Sequence, residues 1–147
     1  MSGNNFKIDV DITANTQKVF DEMKNAVERG LEAIGLTAEG YAKETITEAG
    51  RIDTGLMRNS IAHRVKDDEN AVYVGTNVEY AVWHEVGTGI HAADGQGRKT
   101  PWAFQGKDGE WHWTRGVKPL HFLRNAAANH SEEYKEIMQA SLEGRNV

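Results

Sequence analysis

The feature that most limits the possible folds is one long helical pattern in the first third of the chain. Between Gln17 and Ala49, apolar residues recur every three or four positions, and polar residues occupy most of the others. An unbroken helix of that length would extend about 50 Å at ~1.5 Å per residue. That is long for a chain of 147 residues, so the other elements are expected to pack along it. The side chains predicted to face the core are Phe20, Val27, Leu31 and Ile34.

The limits of this helix are indicated by capping residues and glycines. Asn15 or Thr16 is a suitable N-cap. Each glycine inside the pattern costs roughly 1 kcal/mol relative to alanine, so we predict a kink or break around Gly35–Thr37, with Thr37 as a second cap. Part of the apolar stripe could alternatively pack against a neighbouring subunit instead of the core of the same chain. Ala26 and Gly30 are small enough to let a neighbouring subunit approach closely.

Shorter patterns along the rest of the chain predict an α+β fold. The stretch from Phe6 to Ile12 alternates between apolar and polar residues, which predicts a strand with one buried face. The other predicted elements are a turn at 53–60, a hairpin of strands 61–66 and 71–76, a short helix at 78–86, a loop at 90–97, a hairpin of strands 102–105 and 110–114, and a last helix from about Pro119 to Gly144. We expect one domain over residues 1–147, with its core at about 5–143 and a flexible loop at about 90–100. Its architecture would be a small, mostly antiparallel sheet packed by one long N-terminal helix, with a C-terminal helix.

Periodicity also assigns faces to two of these elements. In the first hairpin, Val72 and Val74 belong to one face, and Ala71 and Tyr73 belong to the other. On the last helix, Leu123 and Ala127 are predicted to share one side.

Residues that carry chemistry do not form a recognised pattern in this sequence. There are no cysteines, and the histidines show neither His-x-x-x-His nor Glu-x-x-His spacing. His84 and Glu85 are adjacent, so they do not share a helix face. Motifs for a hydrolase nucleophile, a dinucleotide or a phosphate loop are also missing, and no apolar run reaches the ~20 residues that span a membrane. We therefore expect no enzymatic activity, no metal, no cofactor and no membrane partner.

Positive charge and tryptophan are concentrated in one segment. Residues 98–124 carry six basic and two acidic side chains, a formal charge of +4, which leaves −9 for the rest of a chain whose total is −5. Basic residues interleaved with aromatic ones could contact nucleic acid. They could also meet acidic surface on an identical neighbour, such as the turn Asp67–Glu69, and unlike patches of this kind favour head-to-tail rings. The residues predicted to form this interface are Arg98, Lys99, Trp102, Trp111, Trp113, Arg115 and Lys118.

Several short phrases occur in an order that is typical of one protein family. The first group is Thr54-Gly55-Leu56-Met57-Arg58-Asn59-Ser60-Ile61, Val72-Tyr73-Val74-Gly75-Thr76-Asn77, Tyr80-Ala81 and Glu85-Val86-Gly87-Thr88-Gly89. The second group is Arg98-Lys99-Thr100-Pro101-Trp102, Asp108-Gly109-Glu110-Trp111, Thr114-Arg115-Gly116-Val117-Lys118-Pro119 and Phe122-Leu123-Arg124. With these phrases, residues 53–127 resemble the tail-component family of tailed bacteriophages, typified by gene product ten of phage HK-ninety-seven. The chain departs from that family at Val86, where an aromatic residue is usual, and at Met57, where leucine is commoner.

The resemblance implies a structural virion protein of the phage neck, which completes the tail or joins it to the head. Such subunits form a ring, expected to be hexameric in the virion, around a channel through which DNA passes without sequence-specific binding. The implied partners are further copies of the chain, head-closure or connector proteins, and tail tube or tail terminator proteins. The implied location is the neck or tail of the virion, with the host cytoplasm as the site of assembly. The resemblance does not indicate whether the subunit lies on the head side or on the tail side of the joint.

Two other functions also stay open at this point. One is a nucleic-acid-binding module that uses segment 98–124, whose affinity would fall steeply with salt. The other is a small hydrolase without a recognised motif, which would need a deep polar pocket with perturbed carboxylates.

Overall fold

A computed structural model describes residues 12–51 and 55–147, with side chains in the first helix described from Thr16 onward. The predicted α+β fold class is confirmed. The strands form two separate antiparallel hairpins within these residues, however, and not one sheet. The elements are α1 (Ile12–Glu48), α2 (Leu56–Asn59), β1 (Ala62–Lys66), β2 (Ala71–Gly75), α3 (Ala81–Val86), β3 (Trp102–Gln105), β4 (Trp111–Thr114), α4 (Phe122–Ala128) and α5 (Ser131–Leu142), with 3₁₀ turns at Asp67–Glu69 and Gly89–His91.

Helix α1 is continuous over 37 residues, so the predicted break around Gly35–Thr37 is wrong. Gly30 and Gly35 serve close packing instead. A Cβ on Gly35 would lie 2.7 Å from Val72 Cγ2, and one on Gly30 would lie 2.7 Å from Met138 Sδ. Thr37 does not cap a second helix, because its hydroxyl donates to the carbonyl of Ala33 at 2.8 Å. The packing gained at these positions offsets the low helix propensity of glycine.

The start of α1 also differs from the prediction. The helix begins at Ile12, before the predicted caps at Asn15 and Thr16. Extending an existing helix by a turn costs little, whereas nucleating one is costly, so a weak local signal suffices here. Most of the strand predicted over residues 6–12 lies outside the described residues, and Ile12 itself is helical.

Helix α5 runs antiparallel to α1 and covers its middle. Near the start of α5, Glu133 accepts a hydrogen bond from the hydroxyl of Tyr41. Near its end, the buried Ser141 donates to the carbonyl of Ala26 at 2.5 Å. The close approach that Ala26 and Gly30 were predicted to offer another subunit is therefore used within the chain.

The hydrophobic core lies at the C-terminal half of α1, where α2, α3, α4 and the first hairpin meet it. Of the residues predicted to face the core, Leu31 is buried and Val27 and Ile34 are half-buried. Phe20 is 63% exposed, so that prediction is wrong. The reason is that α1 extends beyond the end of α5, so its first turns have no described neighbour on that side. The core residues are Ala42, Ile46, Met57, Ile61, Ala81, Phe122 and Ala126.

The β1–β2 hairpin is fastened to α1 by an ion-pair cluster. The ring nitrogens of His63 lie 2.9 Å from Glu39 Oε1 and 2.6 Å from Glu32 Oε1, and the His63 backbone N–H also donates to Glu39. Ionised carboxylates only accept hydrogen bonds, so both ring nitrogens donate and His63 is an imidazolium here. Burial lowers the pKa of His63, but hydrogen bonds and charge from the two glutamates outweigh it, and the pKa is raised.

The faces of the first hairpin follow the prediction. The register pairs His63 with Val74 and Val65 with Val72. Val72 and Val74 are half-buried and Tyr73 is 54% exposed, as the alternation predicts.

The predicted single C-terminal helix is wrong. It divides into α4 and α5 at His130, whose φ of −125° is not helical. The ring of His130 stacks on Tyr41 with centroids 3.5 Å apart, and this contact fixes the break. Phe122 and Ala126 are buried, one position before the predicted Leu123 and Ala127, because the tertiary contacts of α4 set its rotation.

The segment predicted as a turn at 53–60 contains a short helix, because residues 56–59 form α2. None of the helices in residues 12–51 and 55–147 has the length and apolar character that crossing a membrane requires.

Candidate assembly surface

The segment that carries the predicted interface is anchored where residues 115–117 cross residues 88–90. The N–H of Thr88 donates to the carbonyl of Val117 at 2.9 Å, and the N–H of Ile90 donates to the carbonyl of Arg115 at 3.0 Å. Glycine is needed at this crossing, since a Cβ on Gly89 would overlap the Arg115 carbonyl and one on Gly116 would overlap that of Thr88. The Gly87-Thr88-Gly89 phrase therefore positions the exit of the β3–β4 hairpin.

Glu85 holds the next helix in place. Its carboxylate accepts hydrogen bonds from the backbone N–H groups of Leu123 at 2.8 Å and Arg124 at 2.9 Å, at the start of α4. These are donors that a helix leaves unsatisfied in its first turn. The residue before α4 is His121, which makes no side-chain capping bond. Sequence analysis missed this role of Glu85, although the lack of a Ser, Thr, Asp or Asn before the helix was a signal that the cap comes from elsewhere.

The neighbouring His84 also makes a structural contact, in this case with Arg51. Arg51 Nη1 lies 3.2 Å from His84 Nδ1. Burial lowers the pKa of His84, and the charge of Arg51 lowers it further. A neutral ring that accepts from the guanidinium fits both observations. Among the described residues, no group of three His, Asp or Glu side chains is placed to hold a metal ion.

The strand register separates the tryptophans onto two faces. Trp111 lies opposite Gln105, and Trp113 lies opposite Ala103, so both indoles are on one face of the hairpin. They are 69% and 75% exposed. Trp102 is on the other face, which divides the predicted interface.

Trp102 is half-buried and has a cationic neighbour. The guanidinium carbon of Arg98 lies 5.6 Å from its ring centroid, within the range of a cation–π contact. Arg98 and Trp102 therefore belong to one local structure, and the two exposed indoles belong to another.

The hairpin β3–β4 has little support from the rest of the chain. The β1–β2 hairpin packs on α1, whereas β3 and β4 contact mainly each other and no other described helix or strand extensively. An isolated two-stranded hairpin is at best marginally stable in water. The exposed indole face is thus not a covering for a core beneath it.

The predicted basic residues surround the open end of this hairpin and stay unpaired. Lys99 donates to the carbonyl of Gly95 at 2.8 Å, and Arg115 lines a shallow cleft with Pro101 and Trp113. Within residues 12–51 and 55–147, no carboxylate forms an ion pair with Arg98, Lys99, Arg115 or Lys118.

The acidic turn predicted as the complementary surface is only partly available. Glu69 accepts a hydrogen bond from the Tyr73 hydroxyl at 2.5 Å and lies 3.7 Å from Lys66 Nζ. Asp67 and Asp68 are exposed, and neither carboxylate forms an ion pair with another described residue. These two aspartates hold the free negative charge of the turn.

Comparisons of the chain with protein-family models, curated proteins and solved structures gave no significant match. The likeness to the tail-component family therefore rests on the order of the sequence phrases described above.

Proposed function

We propose that this protein is a structural subunit of a tailed-phage neck, which assembles with copies of itself into a ring that completes the tail or joins it to the head. The observation that carries the proposal is the exposed pair Trp111 and Trp113 on a hairpin that packs extensively on no other described helix or strand. The cations bordering it form no ion pair with a described carboxylate. A subunit whose binding surface is covered only in an assembly would have this form. The order of the family phrases supports the phage context.

The two kinds of residue have different roles in such an interface. A tryptophan buries about 150–250 Å², and each Å² of apolar area removed from water contributes roughly 25 cal/mol. An exposed ion pair contributes only about 0–1 kcal/mol. The indoles would therefore supply most of the affinity, and the cations would steer the approach and select the register.

The acidic partner of the cations is assigned to the turn of the neighbouring copy. Asp67 and Asp68 are its exposed and uncommitted carboxylates, whereas Glu69 is engaged by Lys66 and Tyr73. Contact between unlike surfaces of identical chains is head-to-tail, which closes into a ring when the rotation between neighbours permits it.

Charge reversal tests this assignment. Sedimentation velocity of the purified protein from about 1 µM to about 1 mM should show concentration-dependent association, weakened by the double variant Arg115→Glu with Lys118→Glu. Adding Asp67→Lys and Asp68→Lys to that variant should restore association. The surface at 115 and 118 is then negative and the turn at 67 and 68 is positive, so the two surfaces attract each other again. Lys135→Glu removes a cation on α5, far along the chain from the hairpin, and serves as the control. Association that is equal in all variants would contradict the charge assignment.

Nucleic-acid binding is the second candidate, and the spacing of the exposed indoles favours it. Trp111 and Trp113 project from the same face two residues apart, a platform on which bases could stack beside cations. Fluorescence anisotropy with a labelled single-stranded oligonucleotide would distinguish the two functions. Affinity that falls steeply between about 50 and 200 mM salt, and that is lost in Trp111→Ala, would favour this candidate over self-assembly.

A further inference from the structure

The β3–β4 hairpin has two open edges as well as an exposed face. It is a two-stranded sheet, so β3 and β4 are each paired on one side only. In an antiparallel pair, residues that exchange hydrogen bonds alternate with residues whose N–H and C=O groups point outward. The bond from the N–H of Gly106 to the carbonyl of Glu110 sets this alternation.

The alternation identifies which residues face each edge. Counting from the Gly106–Glu110 pair, Phe104 and His112 are bonded to each other across the hairpin. Ala103 and Gln105 therefore direct their backbone groups to the free edge of β3. The residues with the same position on β4 are Trp111 and Trp113. Within the part of the chain that the structure describes, no backbone partner reaches these outward groups.

Within β3 and β4, neither edge carries a charged side chain, a proline or a bulge. Open edges are commonly blocked by lysine, other charges, proline or a bulge within the strand. Strand β3 reads Trp-Ala-Phe-Gln and β4 reads Trp-His-Trp-Thr, with no lysine, arginine, carboxylate or proline. The register from Trp102 to Gln105 is regular. By contrast, β1 contains Arg64 and Lys66.

We infer that the hairpin is completed by strand addition between copies of this chain, with β3 of one subunit pairing with β4 of the next. This inference rests on the self-assembly proposed above and names its backbone contact. Rotational symmetry gives every hairpin in a ring the same orientation relative to the ring axis. Because β3 and β4 run in opposite directions within each hairpin, β3 of one subunit is antiparallel to β4 of the next. Both strands have four residues, so they match in length. Closing the ring would leave no strand edge unpaired.

The positions of the other residues fit this arrangement. The cations Arg98, Arg115 and Lys118 flank the open end of the hairpin and lie outside the two strands, so they stay out of the new ladder. Pairing of neighbouring hairpins would also place the indoles of Trp111 and Trp113 beside Ala103 and Gln105 of the adjacent β3, which lie on the same face, so the two faces become continuous.

A proline on the β3 edge tests the inference. The N–H of Ala103 points outward, so Ala103→Pro removes an edge donor without breaking a bond inside the hairpin. We expect Ala103→Pro to weaken association in sedimentation velocity by on the order of tenfold to a hundredfold. Ala103→Ser keeps the N–H and should associate as the wild type does. Near-UV circular dichroism of the indoles checks that the monomers have the same fold.

Hydrogen exchange provides a second measurement that needs no substitution. On going from dilute monomer to assembled protein, the amides of Trp111 and Trp113 should gain at least about tenfold protection. The amides of Phe104 and His112, already paired inside the hairpin, should change less. If wild type associates while Ala103→Pro associates equally and the two tryptophan amides stay unprotected, strand addition is wrong and self-assembly stands. A wild type that stays monomeric to about 1 mM overturns both.

Discussion

The same substitution at two glycines of α1 is expected to have different effects on stability. Gly40 is exposed, and a Cβ built there meets no atom within 4 Å. Gly35 is buried beneath the β1–β2 hairpin. Gly35→Ala and Gly40→Ala therefore share one change in helix propensity and differ only in packing.

The magnitudes follow from what each new methyl group would meet. Gly40→Ala should stabilise the protein by about 1 kcal/mol, the difference in helix propensity. At Gly35 the methyl carbon would lie 2.6 Å from His63 Cγ and 2.7 Å from Val72 Cγ2. The His63 ring is held between Glu32 and Glu39 and cannot move aside without losing ion pairs. Overpacking of this kind costs about 1–3 kcal/mol, so Gly35→Ala should be less stable than Gly40→Ala by about that amount.

Urea denaturation followed by far-UV circular dichroism would measure both free energies of unfolding. The slope with denaturant should be the same in the two variants, because neither changes the surface exposed on unfolding. Equal stabilisation by Gly35→Ala and Gly40→Ala would refute the assignment of Gly35 to a close contact. It would mean that the hairpin does not lie on this turn of α1.

Three further predictions concern other contacts. Because the pKa of His63 is raised in the folded chain, its ion pairs should stabilise the fold near its unfolded value of 6.5 and be lost as the pH rises through the folded value. The stability advantage of wild type over His63→Gln, measured by urea denaturation, should therefore shrink as the pH rises above about 6.5. Leu31→Ala should reduce the unfolding free energy by about 2–5 kcal/mol, whereas Phe20→Ala should change it by less than about 0.5 kcal/mol in the same assay, since Phe20 is exposed. Glu85→Gln should cost about 1 kcal/mol through the weaker cap of α4, measured by thermal unfolding, and an unchanged midpoint would contradict that role.

Local elements were predictable because their signals lie within a few residues. The 3.6-residue period of α1, the alternation around Tyr73 and the turn glycines of the second hairpin all act through neighbours in sequence. The end of α3 at Gly87 is another case, since its φ of 78° suits glycine. The predicted flexibility of the loop at 90–100 stays a prediction.

The candidate surface was predictable in composition and not in arrangement. Its residues could be named from the clustering of cations and tryptophans in segment 98–124. That Trp102 lies on one face of the hairpin and Trp113 on the other depends on which strand pairs with which, and in what register. Sequence counts also cannot show that a hairpin lacks a packing partner.

The sequence by itself determined the type and approximate position of most helices and strands, the chain's charge and the concentration of cations around the second hairpin. Only the tertiary structure decided which part of the apolar stripe of α1 is buried, because that depends on where α5 ends: Phe20 lies beyond it and Leu31 lies beneath the rest of the fold. The same holds for the α4 cap, where Glu85 reaches an amide 38 positions later. The periodicity of apolar residues indicates whether a segment is a helix or a strand. Burial and long-range hydrogen bonds depend instead on how distant segments of the chain pack together, and no short stretch of sequence contains that information.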